Sequence, residues 1–120
     1  MPARLGDGDR ETALRVGYAA TDWTRPISYD DYERFSSDWV VRPIVNDDKC
    51  IGAAYFKDGE VHVSILPEWR KRWVNRKLLN DLLGAPDAMT RVTPGHEFMY
   101  GILYRLGFVL REDGMMVKGY

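Results

Sequence analysis

The chain contains 120 residues, 45% of them hydrophobic and 29% charged, with a formal net charge of −1. This size and composition predict one globular domain, and the near-zero charge gives no general attraction to nucleic acid or to an anionic membrane. We expect no membrane span, because no apolar run approaches the roughly 18–20 residues required, and no secretory signal, because the first residues lack an apolar stretch. The single cysteine, Cys50, excludes an internal disulfide and a Cys-rich metal site, and is expected in the core. We therefore expect a cytoplasmic protein, or one made in a cytosol and packaged elsewhere.

The N-terminal third is predicted to contain a tail, a strand and a helix. Residues 1–12 are predicted to form a flexible tail, because the first eleven positions carry two glycines, a proline and five charges. Residues 13–120 are predicted to form the single domain, which begins with a short strand over Ala13–Thr21, where apolar and other side chains alternate. A helix is expected over Tyr29–Trp39, with Ser28 as its N-cap and two aspartates in its first turn. Its buried face would contain Tyr32, Phe35 and Trp39.

The middle of the chain predicts an antiparallel meander. Strands are expected over Val40–Val45, Cys50–Phe56 and Glu60–Leu66, joined by short polar turns. The second turn contains Asp58-Gly59, a pair that accepts the positive φ angles of a tight hairpin.

The last third predicts helices alternating with short strands. Pro67 ends the third strand, and Val74, Leu78 and Leu82 recur every four residues in a helix expected over Glu68–Leu83. Gly84-Ala85-Pro86 stops this helix. The remaining predicted elements are a strand, a helix that starts at Thr93-Pro94 and ends at Gly107, and two hairpin strands: Ala88–Val92, 93–107, Phe108–Arg111 and Met115–Lys118.

The order of these elements resembles the GNAT superfamily of acetyl-CoA-dependent N-acyltransferases, with one helix missing near the start. The resemblance covers roughly residues 13–120. Leu103-Tyr104-Arg105-Leu106-Gly107-Phe108 is taken to match the family's L-Y-x-x-L-G-F signature. The resemblance implies a mixed α/β protein with a compact GNAT-like fold, a mixed six- to seven-stranded sheet and about three helices.

The same resemblance implies a cofactor site after the third strand of the meander. In the family a turn of pattern R/Q-x-x-G-x-G/A holds the acetyl-CoA pyrophosphate on backbone N–H groups at a helix start. Arg70 matches the R/Q position, but Trp73 and Asn75 stand at the two glycine positions. The implied cofactor-binding residues are Arg70, Lys71, Arg72, Trp73, Val74 and Asn75.

Three interpretations of this basic turn are open. The indole of Trp73 lies at the phosphate approach, and it either swings aside, leaving Arg70, Lys71 and Arg72 with Arg76 and Lys77 to hold phosphates, or closes the pocket. In the second case the basic cluster is a solvated helix face. A third interpretation is a contact with a nucleic-acid backbone, although the basic stripe is short and no groove-reading motif accompanies it.

Acyl transfer to an amine needs a base for the ammonium and an acid for the departing thiolate, since these groups titrate near pH ~10.4 and ~8.5. The resemblance implies that Tyr104 is the acid and that Glu60, or His62 through a water molecule, is the base. Glu60 and His62 are two apart on one strand and share a face. Each has an ordinary alternative: Tyr104 as a half-buried helix aromatic, Glu60 as a solubilising hairpin residue and His62 as a surface or core residue. No pair of histidines has the spacing of a metal site.

Two functions are predicted. The first is an acetyl-CoA-dependent N-acetyltransferase that acts on an amine, on a protein rather than a small molecule, because the shortened N-terminal region would leave an open groove. The second is a catalytically inactive GNAT-fold protein that binds a protein partner, since the chain looks like small GNAT-like bacteriophage proteins, some of them virion components. Aromatic residues of the shortened region would form that interface if exposed: Trp23, Tyr29, Tyr32, Phe35 and Trp39.

Overall fold

The computed structural model describes residues 3–7, 9–21, 27–70, 72–92 and 97–119. Over these residues the chain forms seven strands and four α-helices. The strands are β1 Arg4–Leu5, β2 Val40–Asn46, β3 Lys49–Lys57, β4 Glu60–Ile65, β5 Met89–Arg91, β6 Phe108–Leu110 and β7 Met115–Lys118. The helices are α1 Arg10–Ala20, α2 Tyr29–Phe35, α3 Arg76–Leu83 and α4 Phe98–Arg105, with a 3₁₀ turn at Pro67–Trp69.

The strands form one mixed sheet in the order β1-β2-β3-β4-β5-β7-β6. All neighbouring pairs are antiparallel except β4 and β5, which are parallel and pair at Glu60 and Met89. The predicted mixed α/β fold with a seven-stranded sheet is confirmed, and the described helices number four rather than about three. The meander is also confirmed: its second turn has positive φ at Asp58 (50°) and Gly59 (85°), as a tight hairpin requires.

The N-terminal region differs most from the sequence-based expectation. The predicted strand over Ala13–Thr21 is wrong, because these residues belong to helix α1, which Asp9 caps by accepting the Glu11 N–H at 3.0 Å. Apolar and other residues do alternate in this segment, but the buried residues follow a helical spacing. They are Ala13, Leu14, Gly17 and Ala20. Helix α1 therefore takes the place of the helix thought to be missing. The expected tail is partly structured, since β1 pairs with β2 and Ala3 is only 3% exposed.

Two helices are shorter than predicted. Helix α2 starts after Ser28, which accepts the Asp31 N–H at 3.1 Å as expected, but it ends at Phe35. Phe35 is consequently 73% exposed, which corrects its assignment to the buried face, while Tyr32 is buried. Helix α3 begins at Arg76 rather than Glu68, because the side chain of Asn75 caps it there. The predicted start of the last helix, at Thr93-Pro94, lies outside the described residues.

Two cores lie on opposite sides of the sheet. The smaller one packs α1 and α2 against β2 and β3, and includes Leu14, Tyr32 and Ala53. The larger one packs α3 and α4 against the other face of the sheet, and includes Ile44, Leu78 and Phe108. Cys50 is half-buried rather than fully buried, and burial raises the pKa of its thiol. No helix among the described residues is both long and apolar enough to cross a membrane.

Candidate functional site

A cavity of about 410 Å³ lies between β4 and β5. The two parallel strands start side by side at Glu60 and Met89, and no further pairing joins them along the described residues. Their separation opens a wedge that is lined mainly by apolar side chains. The apolar walls include Val61, Val63 and Ile65 of β4, Leu79 and Leu82 of α3, and Leu103 of α4. This size and character are typical of a small-molecule site.

The separated strands also leave backbone groups available to a ligand. Strand β4 pairs with β3 along one edge, from Glu60 to Ile65. Its other edge faces β5, and its pairing there is limited to Glu60. An unpaired strand edge presents N–H and C=O groups that an extended, amide-containing chain can use as a further strand would. The cavity therefore suits a narrow ligand with amides along its length.

A chain of hydroxyl groups reaches the cavity wall from the smaller core. The Oγ atoms of Thr21 and Ser64 lie 3.3 Å apart, and both residues line the cavity. Ser64 is hydrogen-bonded to Tyr55, whose hydroxyl is hydrogen-bonded to that of Tyr32. Burial raises the pKa of both tyrosines, so both phenols stay neutral near neutral pH. Sequence reasoning missed Ser64, although it shares a strand face with His62.

The two predicted catalytic bases, Glu60 and His62, lie together, as expected for side chains that share a strand face. His62 Nε2 is 3.1 Å from Glu60 Oε1, and the imidazole packs edge-on against Trp39 with ring centroids 5.5 Å apart. Both side chains are about one-third exposed, at 33% for Glu60 and 36% for His62. Neither lines the cavity. Glu60 instead lines a second depression, of about 490 Å³, that adjoins the cavity at Val61 and Leu82.

Tyr104 does not join this group. It is 50% exposed on α4, whereas its neighbour Leu103 is 1% exposed and lines the cavity. The stretch from Leu103 to Phe108 has six residues, one fewer than L-Y-x-x-L-G-F. Counting back from Gly107-Phe108 therefore places Leu103, not Tyr104, at the tyrosine position of the signature. The motif alignment was wrong by one residue, and one residue turns a helical side chain by about 100°.

The basic turn is held by contacts within the protein. Arg70 donates from Nη2 to the Ala20 carbonyl at 2.9 Å and from Nε to the Ile65 carbonyl at 3.3 Å. Trp73 does not sit at a phosphate approach as expected: it is 5% exposed and packs in the larger core. Its Nε1 has no hydrogen-bond partner in the part of the chain that the structure describes. Lys71 lies outside the described residues, and Val74 is half-buried.

Asn75 makes two hydrogen bonds that a glycine could not make. Its Oδ1 accepts the Leu78 N–H at 2.9 Å, and its Nδ2 donates to the Ala3 carbonyl at 2.7 Å. The first bond occupies one of the backbone donors that a helix start offers to an anion. The second ties the helix start to the N-terminal segment.

These residues fit one part of acetyl-CoA and not the other. The cavity and the open edge of β4 fit the pantetheine arm, which is narrow, largely apolar and carries two amides. The turn from Arg70 to Asn75 fits the phosphates poorly, because the Asn75 side chain occupies the Leu78 N–H and Arg70 already donates to two backbone carbonyls. The described residues include no group of three His, Cys, Asp or Glu that could hold a metal ion.

Comparison with known proteins shows the fold through solved structures. No family model and no curated protein matches the chain. A GCN5-related N-acetyltransferase from Rhodopseudomonas palustris is similar in structure with a TM-score of 0.62, 14% identity and coverage of 98% of this chain and 94% of that one. The ribosomal-protein-S18-alanine N-acetyltransferase from Escherichia coli gives a TM-score of 0.62, 14% identity and coverage of 98% and 96%. The PaiA N-acetyltransferase from Thermoplasma acidophilum, solved with coenzyme A, gives 0.54, 16% identity and full coverage of both chains. The fold is therefore that of the GNAT N-acetyltransferases.

Proposed function

We propose that this protein binds an acetyl thioester such as acetyl-CoA between β4 and β5 and transfers the acetyl group to an amine. The observation that carries the proposal is the apolar cavity of about 410 Å³ at the separation of the two parallel strands. It occurs in a GNAT fold, and the similar Thermoplasma acetyltransferase was solved with coenzyme A. The thioester arm is the part of acetyl-CoA that the cavity fits.

The reaction class sets what the side chains must do. A C–N bond forms, the C–S bond breaks, and the attacking ammonium loses two protons: one goes to a base and on to solvent, and the other is matched by the proton that the departing thiolate takes up. The Glu60–His62 pair supplies two candidate proton acceptors at one end of β4, with 3.1 Å between their facing atoms. The hydroxyls of Thr21 and Ser64 supply polar hydrogens at the wall of the cavity. Tyr104 has no part in the proposal, because it points away from the cavity.

A cationic acceptor is favoured by the charge next to Glu60. The depression that adjoins the cavity is lined by five carboxylates and one lysine. Lys57 lies 3.9 Å from Asp38 and Lys77 Nζ lies 3.3 Å from Asp81, so the five carboxylates outnumber these two lysines and the depression keeps a net negative character. An ammonium group on a protein, either a lysine or an N-terminus, is the acceptor class that we propose. The carboxylates are Asp38, Asp58, Glu60, Asp81 and Asp87.

A second candidate is a GNAT-fold protein that binds the thioester or a partner without catalysis. The observation in its favour is Leu103, an apolar side chain at the position that the realigned signature gives to tyrosine. Such a protein would bind the donor and show no turnover.

Calorimetric titration with acetyl-CoA, combined with an acetylation assay on lysine and N-terminal peptides, tests the proposal. We expect saturable binding and peptide acetylation in the wild type. Val63→Phe fills the cavity from a partly exposed position and should remove both, whereas Val109→Phe, the same change at an exposed site on β6, should remove neither. Binding without acetylation would support the second candidate, and absence of binding at millimolar acetyl-CoA would refute both thioester proposals.

A further inference from the structure

We infer that this protein recognises its acyl donor by the pantetheine thioester arm and gains little affinity from the nucleotide and its phosphates. The inference rests on the proposed function and specifies the chemical class of donor. It comes from a difference between the two ends of the loop that joins β4 to α3. The cavity beside β4 is open and has Arg70 and Trp73 in its wall, while the Leu78 N–H at the start of α3 is occupied by the side chain of Asn75.

The closure begins with Asn75. Its Oδ1 occupies the Leu78 N–H at 2.9 Å, so an anion at the start of α3 would have to displace an existing hydrogen bond. Its Nδ2 holds the Ala3 carbonyl at 2.7 Å, and Ala3 is 3% exposed. The side chain is therefore fixed from both ends, and moving it would leave a buried carbonyl without its partner.

Trp73 anchors the same turn in the larger core. The side chain is 5% exposed and packs in the same core as Leu78 and Leu79. Close approach of a phosphate to backbone is easiest where there is no Cβ. Here the backbone at this position carries an indole that is anchored in the core, so it has little freedom to move toward a ligand.

Three cationic side chains of the turn and of the start of α3 also make contacts within the protein. Arg70 spans the Ala20 carbonyl at the end of α1 and the Ile65 carbonyl at the end of β4. The carbonyls at a helix C-terminus carry partial negative charge, so Arg70 complements the end of α1. Arg72 lies over the ring of Trp69 at 4.4 Å, and Lys77 Nζ lies 3.3 Å from Asp81.

The class of acyl donor is therefore defined by the pantetheine arm alone. Acetyl groups on free pantetheine, on phosphopantetheine attached to a carrier protein, and on coenzyme A all present the same thioester and the same two amides. The cavity would accept each of them, and the phosphates that distinguish coenzyme A would remain in solvent.

The test is calorimetric titration of the wild type with pantetheine, 4′-phosphopantetheine and coenzyme A at low and high salt. We expect the three dissociation constants to agree within about threefold, and salt to shift none of them strongly, because screening acts on charge contacts. Coenzyme A binding about 30-fold tighter than pantetheine, with strong salt dependence, would overturn the inference and leave the proposed function intact. No binding of any of the three compounds would refute the proposed function, and the inference with it.

A variant provides a second test, in which the change in affinity for coenzyme A is compared with the change for pantetheine. The result does not depend on the absolute affinity of either compound. Asn75→Asp keeps a side chain that caps helices well, gives up the hydrogen bond to the Ala3 carbonyl, and adds a negative charge at the start of α3. If the phosphates stay in solvent, it should change the affinities for coenzyme A and pantetheine by less than about twofold. A loss of about tenfold or more for coenzyme A alone would mean that phosphates bind at the helix start, which contradicts the inference. Circular dichroism of the variant checks that the fold is retained.

Discussion

The cavity between β4 and β5 and the turn that follows β4 lie next to each other but have opposite character. The cavity is open, apolar and bordered by a strand edge without a complete partner. The turn from Arg70 to Asn75 contributes Arg70 and Trp73 to the cavity wall, but the side chains of Arg70 and Asn75 are held by hydrogen bonds within the protein. The cavity for the thioester arm and the turn for the phosphates therefore depend on different features. Strand geometry makes the cavity, while individual side chains decide whether a phosphate can approach the turn. Four substitutions test this difference between the cavity and the turn. They are given in order of decreasing expected effect on stability or activity.

Trp73→Ala should have the largest effect, because it empties a buried position in the larger core. We expect the free energy of unfolding to fall by about 3–5 kcal/mol, as for other buried aromatic truncations. Urea denaturation monitored by circular dichroism measures it. Trp69→Ala is the matched control, since Trp69 is only half-buried and should cost less. A loss below about 1 kcal/mol, together with tighter coenzyme A binding, would mean that the indole guards a phosphate site instead.

Tyr32→Phe should come next, because it removes a hydroxyl that is bonded to Tyr55 inside the smaller core. Leaving a buried partner unsatisfied costs about 1–3 kcal/mol. The change also has a pH signature, because burial raises the pKa of Tyr32. A raised pKa in the fold means that stability is fully present below the unfolded pKa of about 10 and falls as pH rises above it, by up to about 1.4 kcal/mol per pH unit.

The measurement is urea denaturation from pH 8 to 11, in which Tyr32→Phe should show a shallower loss of stability than the wild type. Tyr104→Phe is the control, since Tyr104 is half-exposed on α4 and lies outside the smaller core. Equal slopes for the wild type and Tyr32→Phe would contradict a buried hydroxyl chain.

Asn75→Ala should destabilise the protein by about 1–2 kcal/mol, because it removes a helix N-cap and the bond to the Ala3 carbonyl. Asn80→Ala on the exposed face of α3 should change stability by less than about 0.5 kcal/mol. Thermal denaturation of the two variants side by side checks the difference. Similar melting temperatures would show that Asn75 does not hold the turn closed.

Tyr104→Phe should have the smallest effect, within about twofold in acetylation rate and 0.5 kcal/mol in stability. The reason is its exposure on the face of α4 that does not line the cavity. A general acid contributes about 10²–10⁴-fold to a rate. A loss of that size, with unchanged donor affinity, would restore Tyr104 to the catalytic role first implied by the sequence.

Local signals predicted the parts of the fold that depend on local geometry. The Asp58-Gly59 turn, the three meander strands and the Ser28 cap follow from backbone preferences of a few neighbouring residues. The end of α3 at Leu83 was also predictable, because Gly84-Ala85-Pro86 follows it directly. The pairing of Glu60 with His62 followed from their separation by two on one strand.

Features that depend on distant contacts were missed or misassigned. Leu14, Val16 and Tyr18 alternate as in a strand, but the face of α1 that packs on β2 and β3 follows a helical spacing. The burial of Trp73 depends on core neighbours that no local pattern specifies. The Ala3 contact of Asn75 joins residues 72 positions apart. The misplaced role of Tyr104 has a simpler cause, a motif aligned one residue out of register.

Backbone amide NMR spectra recorded during titration with acetyl-CoA test the central claim most directly, namely that the thioester arm binds between β4 and β5. The account predicts that the largest shifts occur at Val61–Ile65 and at residues 90–92, with little change at residues 76–78. Shifts concentrated at residues 76–78, with β4 and β5 unaffected, would contradict it.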